Sequence, residues 1–391
     1  MLDLTKLAHS MQGISQHLTL EAAASRQRLD LAQQLLAASY AQQAKLVQQQ
    51  QEWRDRILFA AATPVEPLNT RIDLPVPPAI HTVIATDGSQ IAPNHHEIAY
   101  CYLLNIGRVI LHYGQNLQPL RDSLPEVFYR FEDLYISRQW GIRTEEWMGY
   151  RRTASEATVL AELACAATSR VPMLAMVDGS LIYWFLEQLP VEARAHILPP
   201  ILDAWNQLRL AGIPIIGYLS ASRSGEALNF LRLQACNQEV PDCMTYCPNQ
   251  LEKAPCQVLE PLRDTALWTI QLHPGQRSAL WRSSARILDL YGPHTTYFCY
   301  VHVGTEIARI DLPAWVAEDS TLLNQALGLM LAQVQKGYGY PVALAEAHNQ
   351  AVVRGGDRAS FFALLEQQMI KAGLRNVGIS YKEARKRGSI A

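Results

Sequence analysis

No run of about 18 consecutive apolar residues occurs in the 391-residue chain, so no segment reads as a membrane-spanning helix. The opening residues Met1-Leu2-Asp3-Leu4-Thr5-Lys6 lack a basic start followed by an apolar stretch, and no secretory signal is expected. Charge of one sign is not in excess either: 34 Lys and Arg stand against 36 Asp and Glu, a formal net charge of −2. Overall charge therefore does not attract nucleic acid, and any such contact must come from a local basic groove. Seven cysteines, an odd number in a long chain, argue against a disulfide framework and for reduced thiols in the cytoplasm. What is present is a composition 49% hydrophobic and 18% charged, which supports a sizeable core in one large domain or two ordinary ones.

Residues 18–60 carry the pattern of one long helix, with Leu29, Leu36, Tyr40 and Val47 at coiled-coil-like spacing. The helix either packs on its own domain or serves as a dimerisation or partner arm, so 1–62 is taken as a helical arm. Five prolines fall in 63–78 and predict an extended linker, because proline fixes φ and removes a donor. An α/β domain is expected over 79–375, interrupted by an irregular stretch at 220–290, and a basic tail follows at 376–391.

Within that domain, His81-Thr82-Val83-Ile84-Ala85-Thr86 is a short β-rich run ending at Asp87-Gly88-Ser89. Residues 98–106 and 108–113 read as two more strands joined by a tight turn at Asn105-Ile106-Gly107. The aromatic, mixed-charge residues 114–145 read as an insertion. An Ala-rich helix is expected over 145–169, then an apolar strand, Pro172-Met173-Leu174-Ala175-Met176-Val177, ending at Asp178-Gly179-Ser180. A helix to about residue 210 and a buried strand at 213–219 follow. The order β-β-β-α-β-α-β implies parallel pairing through right-handed crossovers. It is the order of an RNase H-like core: an α/β fold with a mixed sheet, here with a long N-terminal helix. A late hairpin (296–303 and 306–310) and C-terminal helices at 320–336, 342–353 and 357–372 complete the expectation.

The repeated Asp-Gly-Ser is where chemistry is expected. If the two strands are neighbours, Asp87 and Asp178 project into one place beyond their carboxyl ends, where open α/β sheets bind ligands. Two carboxylates brought together repel, which raises one pKa. A divalent cation removes that cost, and Mg²⁺ or Mn²⁺ takes oxygen ligands while keeping room for water and phosphate. Such ions support phosphodiester hydrolysis. The glycines permit geometry that a Cβ would block, and Ser89 and Ser180 are placed to cap the following turn or meet phosphate. A third carboxylate is expected from the helix before Asp178. Matching about seven residues of strand against about fifteen of helix lands near residue 155, which favours Glu156 over Glu162. The two lie six apart, on different helix faces, so one of them serves.

These motifs resemble those of the NurA nucleases. Val83-Ile84-Ala85-Thr86-Asp87-Gly88-Ser89 and Leu174-Ala175-Met176-Val177-Asp178-Gly179-Ser180-Leu181 look like two signatures of that family. Tyr340-Pro341-Val342-Ala343-Leu344-Ala345-Glu346-Ala347-His348 looks like its third. The resemblance spans about 80–355. It implies an RNase H-like fold, a dimer, and Mn²⁺-dependent hydrolysis of DNA by a 5′-3′ exonuclease and single-strand endonuclease. It also implies work in end resection and repair with a HerA-type hexameric translocase. Asp87 and Asp178 would be metal ligands. The family's spacing favours Glu162 as the helix acid, which is preferred because the geometric argument assumes an untilted helix; Glu156 is carried with it. His348 would ligate metal or position water, and Tyr340 would meet phosphate. Lys336, Arg354 and Arg358 flank this motif as phosphate contacts.

Weaker signals are kept as expectations. Cys236, Cys243, Cys247 and Cys256 show zinc-like spacing only between Cys243 and Cys247, so buried free thiols are preferred to a metal or iron–sulfur site. Arg263, Arg277, Arg282 and Arg286, with Trp268 and Trp281, either line a single-strand groove or lie on an ordinary surface. Asp311 is either a further acid near the metals or part of a turn before Pro313. The rival functions are a DNA-end adaptor or clamp with a lapsed site, an RNase H-like enzyme acting on RNA or junctions, and a phosphatase-like hydrolase.

Overall fold

The computed structural model describes residues 3–11, 13–94, 99–167, 171–248 and 254–373. The basic stretch at 382–387 and the first residue of the 98–106 strand lie outside them. The chain divides into two units, Met1–Leu74 with Tyr218–Ala317 and Pro75–Gly217 with Glu318–Ala391. Residues 1–62 and 220–290, set apart from each other in the sequence, thus fall in the same unit.

The chain opens in the first unit with α1 (Leu4–Ser10), α2 (Ile14–Tyr40), α3 (Gln43–Glu52), β1 (Thr63–Pro64) and β2 (Arg71–Asp73). It runs through the second with β3 (His81–Ile91), β4 (Tyr102–Tyr113), β5 (Leu120–Phe128), α4 (Phe131–Tyr135), α5 (Thr144–Ala166), β6 (Met173–Asp178) and α6 (Val191–Leu210). Strand β7 (Ile215–Leu219) leads back to the first unit. There follow α7 (Glu226–Ala235), α8 (Cys243–Tyr246), α9 (Asp264–Thr269), β8 (Gln276–Ser278), β9 (Trp281–Arg282), β10 (Thr296–His302), β11 (Ile307–Pro313) and α10 (Ala314–Ala317). Helices α11 (Ser320–Lys336), α12 (Val342–Ala351) and α13 (Gly355–Lys371) complete the second unit.

In the first unit the expected single long helix is two, broken after Tyr40. The later half of α2 and α3 bury Ala32, Leu36 and Leu46 in a core with Leu228, Phe230, Trp268, Trp281, Phe298 and Tyr300. The earlier half of α2 is exposed, including Leu18 and Leu20. The proline-rich stretch is no free linker up to Leu74. Thr63-Pro64 pairs with Trp281-Arg282, and Arg71–Asp73 pairs with Gln276–Ser278. Proline is tolerated at such sheet edges because no ladder donor is needed there.

In the second unit β3, β4 and β5 form an antiparallel meander, and β6 lies parallel to β3. Two expectations change. Asn105-Ile106-Gly107 is no turn: β4 runs unbroken through it, and the third strand of the meander is β5, inside the presumed insertion. Gly107 is needed for a different reason. A Cβ there would overlap the backbone of α12 at Ala347 O and Ala351 N, so its absence lets the helix lie directly on the strand.

Helices cover both faces of this sheet. Thr86 donates to the Glu156 carbonyl of α5 at 3.0 Å, whereas Ser89 donates to the Ala351 carbonyl of α12. Strand alternation accordingly sends Thr86 and Gly88 toward α5, and Asp87 and Ser89 toward α12. Tyr102, Leu104 and Phe128 pack with Leu134 and Met148, while Ile91 and Leu103 pack with Phe362 of α13. No helix among the described residues is long and apolar enough to cross a membrane.

Candidate functional site

The parallel register pairs Thr86 with Val177, so Asp87 and Asp178 are the next residues on neighbouring strands. Their two Asp-Gly-Ser tripeptides, alike in sequence, do different things. The second closes its strand: Gly179 has φ of 103°, a conformation costly for a side chain, and Ser180 Oγ accepts from Ile182 N–H at 2.9 Å. The first does not end a strand, since β3 continues to Ile91. Gly88 is needed there for room, because a Cβ would collide with the Glu156 carboxylate and the Arg152 side chain. Ser89 caps no turn. Together with Asn105, whose amide donates to Ala351 O at 2.8 Å, it satisfies carbonyls left open at the C-terminus of α12.

Gly88 thus admits the Glu156 side chain from α5 to the edge where the two aspartates meet. Burial first, and then the charges of Asp87 and Asp178, push the Glu156 carboxyl up to about 7 against the pull of Arg152. Arg152 Nε stands 3.1 Å from Glu156 Oε1, and Arg152 Nη1 donates to Gln90 Oε1 at 3.3 Å. Asp178 is raised as well, first by desolvation and then by Asp87, while a hydrogen bond from Tyr340 and the nearby His348 oppose the shift. Asp87 accepts from its neighbour Gly88 N–H at 2.8 Å, and its other oxygen lies 2.8 Å from His348 Nδ1. The His348 ring remains 64% exposed, so its second nitrogen is within reach of solvent and substrate.

The structure therefore brings together Asp87, Asp178, Glu156, Tyr340 and His348. Glu162 is left apart: it is exposed and faces Arg108, which is itself held by Asp122 in a two-pronged pair at 2.9 and 2.7 Å. Glu156, and not Glu162, lies beside the two aspartates, in the space that Gly88 opens. Arg152, Gln90, Asn105 and Gly107 were missed. The i,i+4 spacing of Arg152 and Glu156 was the available signal.

The flanking cations make local contacts. Lys336 Nζ lies over the Tyr113 ring at 4.9 Å, Arg358 over Phe362 at 5.5 Å, and Arg354 N–H donates to Asp357 at 2.8 Å. The supposed stacking groove is absent as drawn. Trp268 and Trp281 are fully buried among Phe298 and Tyr300, and Arg277 is buried against Glu66 at 2.6 Å. Asp311 is neither a site acid nor a turn residue; it is buried in β11 and paired with Arg309 at 2.7 Å.

Among the described residues no group of three or more His, Cys, Asp or Glu side chains is disposed to hold a metal ion as it stands. The chemistry of the donor set nonetheless fits a hard divalent cation. It offers carboxylate oxygens, two of them on carboxyls raised first by burial and then by neighbouring acids, and one arginine as counter-charge.

The NurA domain family model matches residues 81–353, more than half of the chain. The fold is similar to the crystal structure of the NurA nuclease from Sulfolobus solfataricus, with a TM-score of 0.53 at 12% identity over 95% of this chain and 98% of that one. A slighter likeness links it to LC9-RNase H1, a type 1 RNase H with the type 2 active-site motif: TM-score 0.22 and 11% identity, over 41% of this chain and 72% of that one. No curated protein matches the chain.

Proposed function

The chain belongs to the NurA domain family, and from that premise we propose that it is a metal-dependent DNA nuclease. The observation that carries this reading is the meeting of Asp87, Asp178 and Glu156, with the Glu156 carboxyl raised to about 7 partly by the other two. A set of acids that repel one another beside neighbouring strands is stabilised by a cation. Asp87, Asp178 and Glu156 would hold Mn²⁺ or Mg²⁺, which when bound activates water and stabilises the leaving oxygen of a phosphodiester.

The other side chains prepare that site. Arg152 keeps Glu156 turned toward the aspartates, and the Tyr340 hydroxyl orients Asp178. His348 fixes one oxygen of Asp87 through Nδ1, which leaves Nε2 to accept a proton from water or to donate one to a phosphate oxygen. With a net charge of −2, DNA must be gripped locally. Lys336, Arg354 and Arg358, around α12, are proposed for that role.

The finer proposal is Mn²⁺ dependence, 5′-3′ exonuclease and single-strand endonuclease action, and a cytoplasmic dimer that resects DNA ends with a HerA-type translocase. It is tested by incubating the purified chain with Mn²⁺ and linear DNA. Degradation is expected, and Asp87→Ala should abolish it. Intact single- and double-stranded DNA after incubation, both alone and with the translocase, sinks the reading.

A further inference from the structure

We propose that the first unit carries a structural zinc site built from Cys236, Cys243, Cys247 and Cys256. The sequence argued against it, because only Cys243 and Cys247 have the short spacing of a zinc pair. The fold supplies what the spacing lacked. All four cysteines, each a free thiol, line one cavity of the first unit. Cys243 and Cys247 bracket the single turn of α8, with Cys247 N–H donating to Cys243 O at 3.0 Å, so they share a helix face. Cys236 follows directly on α7, and Cys256 enters from the next turn of chain.

Two further features point to an ion. The cavity measures about 20 Å³, room enough for a single ion. Beside it stands Arg232, one helical turn before Cys236 and 6% exposed. Its guanidinium lies 3.8 Å over the Phe59 ring, its Nη2 donates to Cys256 Sγ at 3.5 Å, and its Nε has no partner among the described residues. Asp242, the acid lining the same cavity, is taken up by Arg56 at 2.8 Å. A buried cation beside a cavity lined by four sulfurs, and paired with no carboxylate among the described residues, suits a centre that becomes anionic.

Each thiol would release its proton to solvent as its sulfur joins the ion, giving a four-thiolate zinc centre of formal charge 2−. Arg232 offsets half of that charge, and no oxidant or reductant is required. The thiols are not yet closed into a ligand set; each turns about a single Cα–Cβ bond, so the ion gathers them. With four sulfurs the centre has no open position and does no chemistry. It ties the end of α7, the turn of α8 and the loop at Cys256 together where regular structure is sparse.

The test uses the full chain, independently of nuclease activity. Elemental analysis after zinc supplementation should find about one zinc per chain. Cobalt in its place should give the visible bands of a tetrahedral thiolate complex. The double variant Cys243→Ser with Cys247→Ser should lose the metal, and Cys165→Ser, an exposed thiol outside the cavity, should keep it. Because the double variant can fail to fold, a second arm titrates the wild-type protein with a mercurial and follows zinc release with a coloured indicator. Release in step with the reaction of four thiols supports the proposal. Metal-free protein with every thiol reactive overturns it, and so does an absorbing centre with matched iron and sulfide.

Discussion

The acids around Asp87 and those around Arg309 are two charged clusters built to opposite plans. Arg309 is buried between Glu226 at 2.6 Å and Asp311 at 2.7 Å, with Ser224 Oγ at 2.8 Å and the Phe298 ring beneath. Glu226 also accepts from Ser283 at 2.7 Å. Nearby, Asp264 accepts from Leu228 N–H, Ala227 N–H and the Tyr300 hydroxyl, capping α7 from a distant part of the chain. Every acid there finds its partners inside the protein. Around Asp87 the arginine Arg152 pairs with Glu156, Asp87 meets the open ring of His348, and Asp178 takes the Tyr340 hydroxyl while remaining exposed. Charges that are buried and internally satisfied serve the fold, whereas charges left in mutual repulsion at an open edge have capacity for a ligand.

Substitution is the sharpest way to break this contrast. Asp87→Asn should lower nuclease activity by at least about 10³-fold while leaving the unfolding midpoint in denaturant near that of the wild type. Asp311→Asn should do the reverse, costing about 1–3 kcal/mol of stability because it leaves the buried arginine with one carboxylate, Glu226, in place of two. Activity per folded molecule should survive it. A catalytic loss from Asp311→Asn without unfolding would erase the distinction.

A smaller effect separates the two acids of α5. Glu156→Gln should lower activity about 10²-fold, as expected on losing one charged group at a reacting centre. Glu162→Gln should stay within about twofold, as for an ordinary surface change. Equal losses would return Glu162 to the site.

The smallest effect is in the pH dependence. Glu156 holds its proton to about 7 rather than its ordinary 4.5. Its protonated form therefore favours the folded state. The stability it contributes is full below 4.5 and is lost as pH rises through about 7. A bound divalent ion reverses that preference, since it requires the carboxylate. The rise in Tm produced by Mn²⁺ should accordingly be larger at about pH 8 than at about pH 6. A rise independent of pH would remove Glu156 from the ligands.

Much of this site was legible in the sequence because it depends on local pattern. Two apolar runs ending in Asp-Gly-Ser mark neighbouring strands, and comparing helix rise with strand rise places Glu156 level with Asp178. What was hidden depends on contacts between segments far apart in the chain. Asn105-Ile106-Gly107 has the composition of a turn, yet its glycine answers to the backbone of α12, some 240 residues later. Trp268 and Trp281 among arginines resemble a stacking surface until the fold places them in a core. The four cysteines meet only when α7, α8 and the loop at Cys256 are in place. Spacing along one segment records its own periodicity and nothing of its distant neighbour.

The division of the chain has a consequence for the order in which the molecule is made. The second unit is interrupted by Tyr218–Ala317, so Asp87, Glu156 and Asp178 emerge from the ribosome well before Tyr340 and His348. During that interval the carboxylates stand without α12 above Gly107, without the histidine on Asp87 and without the hydroxyl on Asp178. Units fold as they are synthesised. A nascent chain thus lacks the last parts of the candidate site until the whole first unit has been translated.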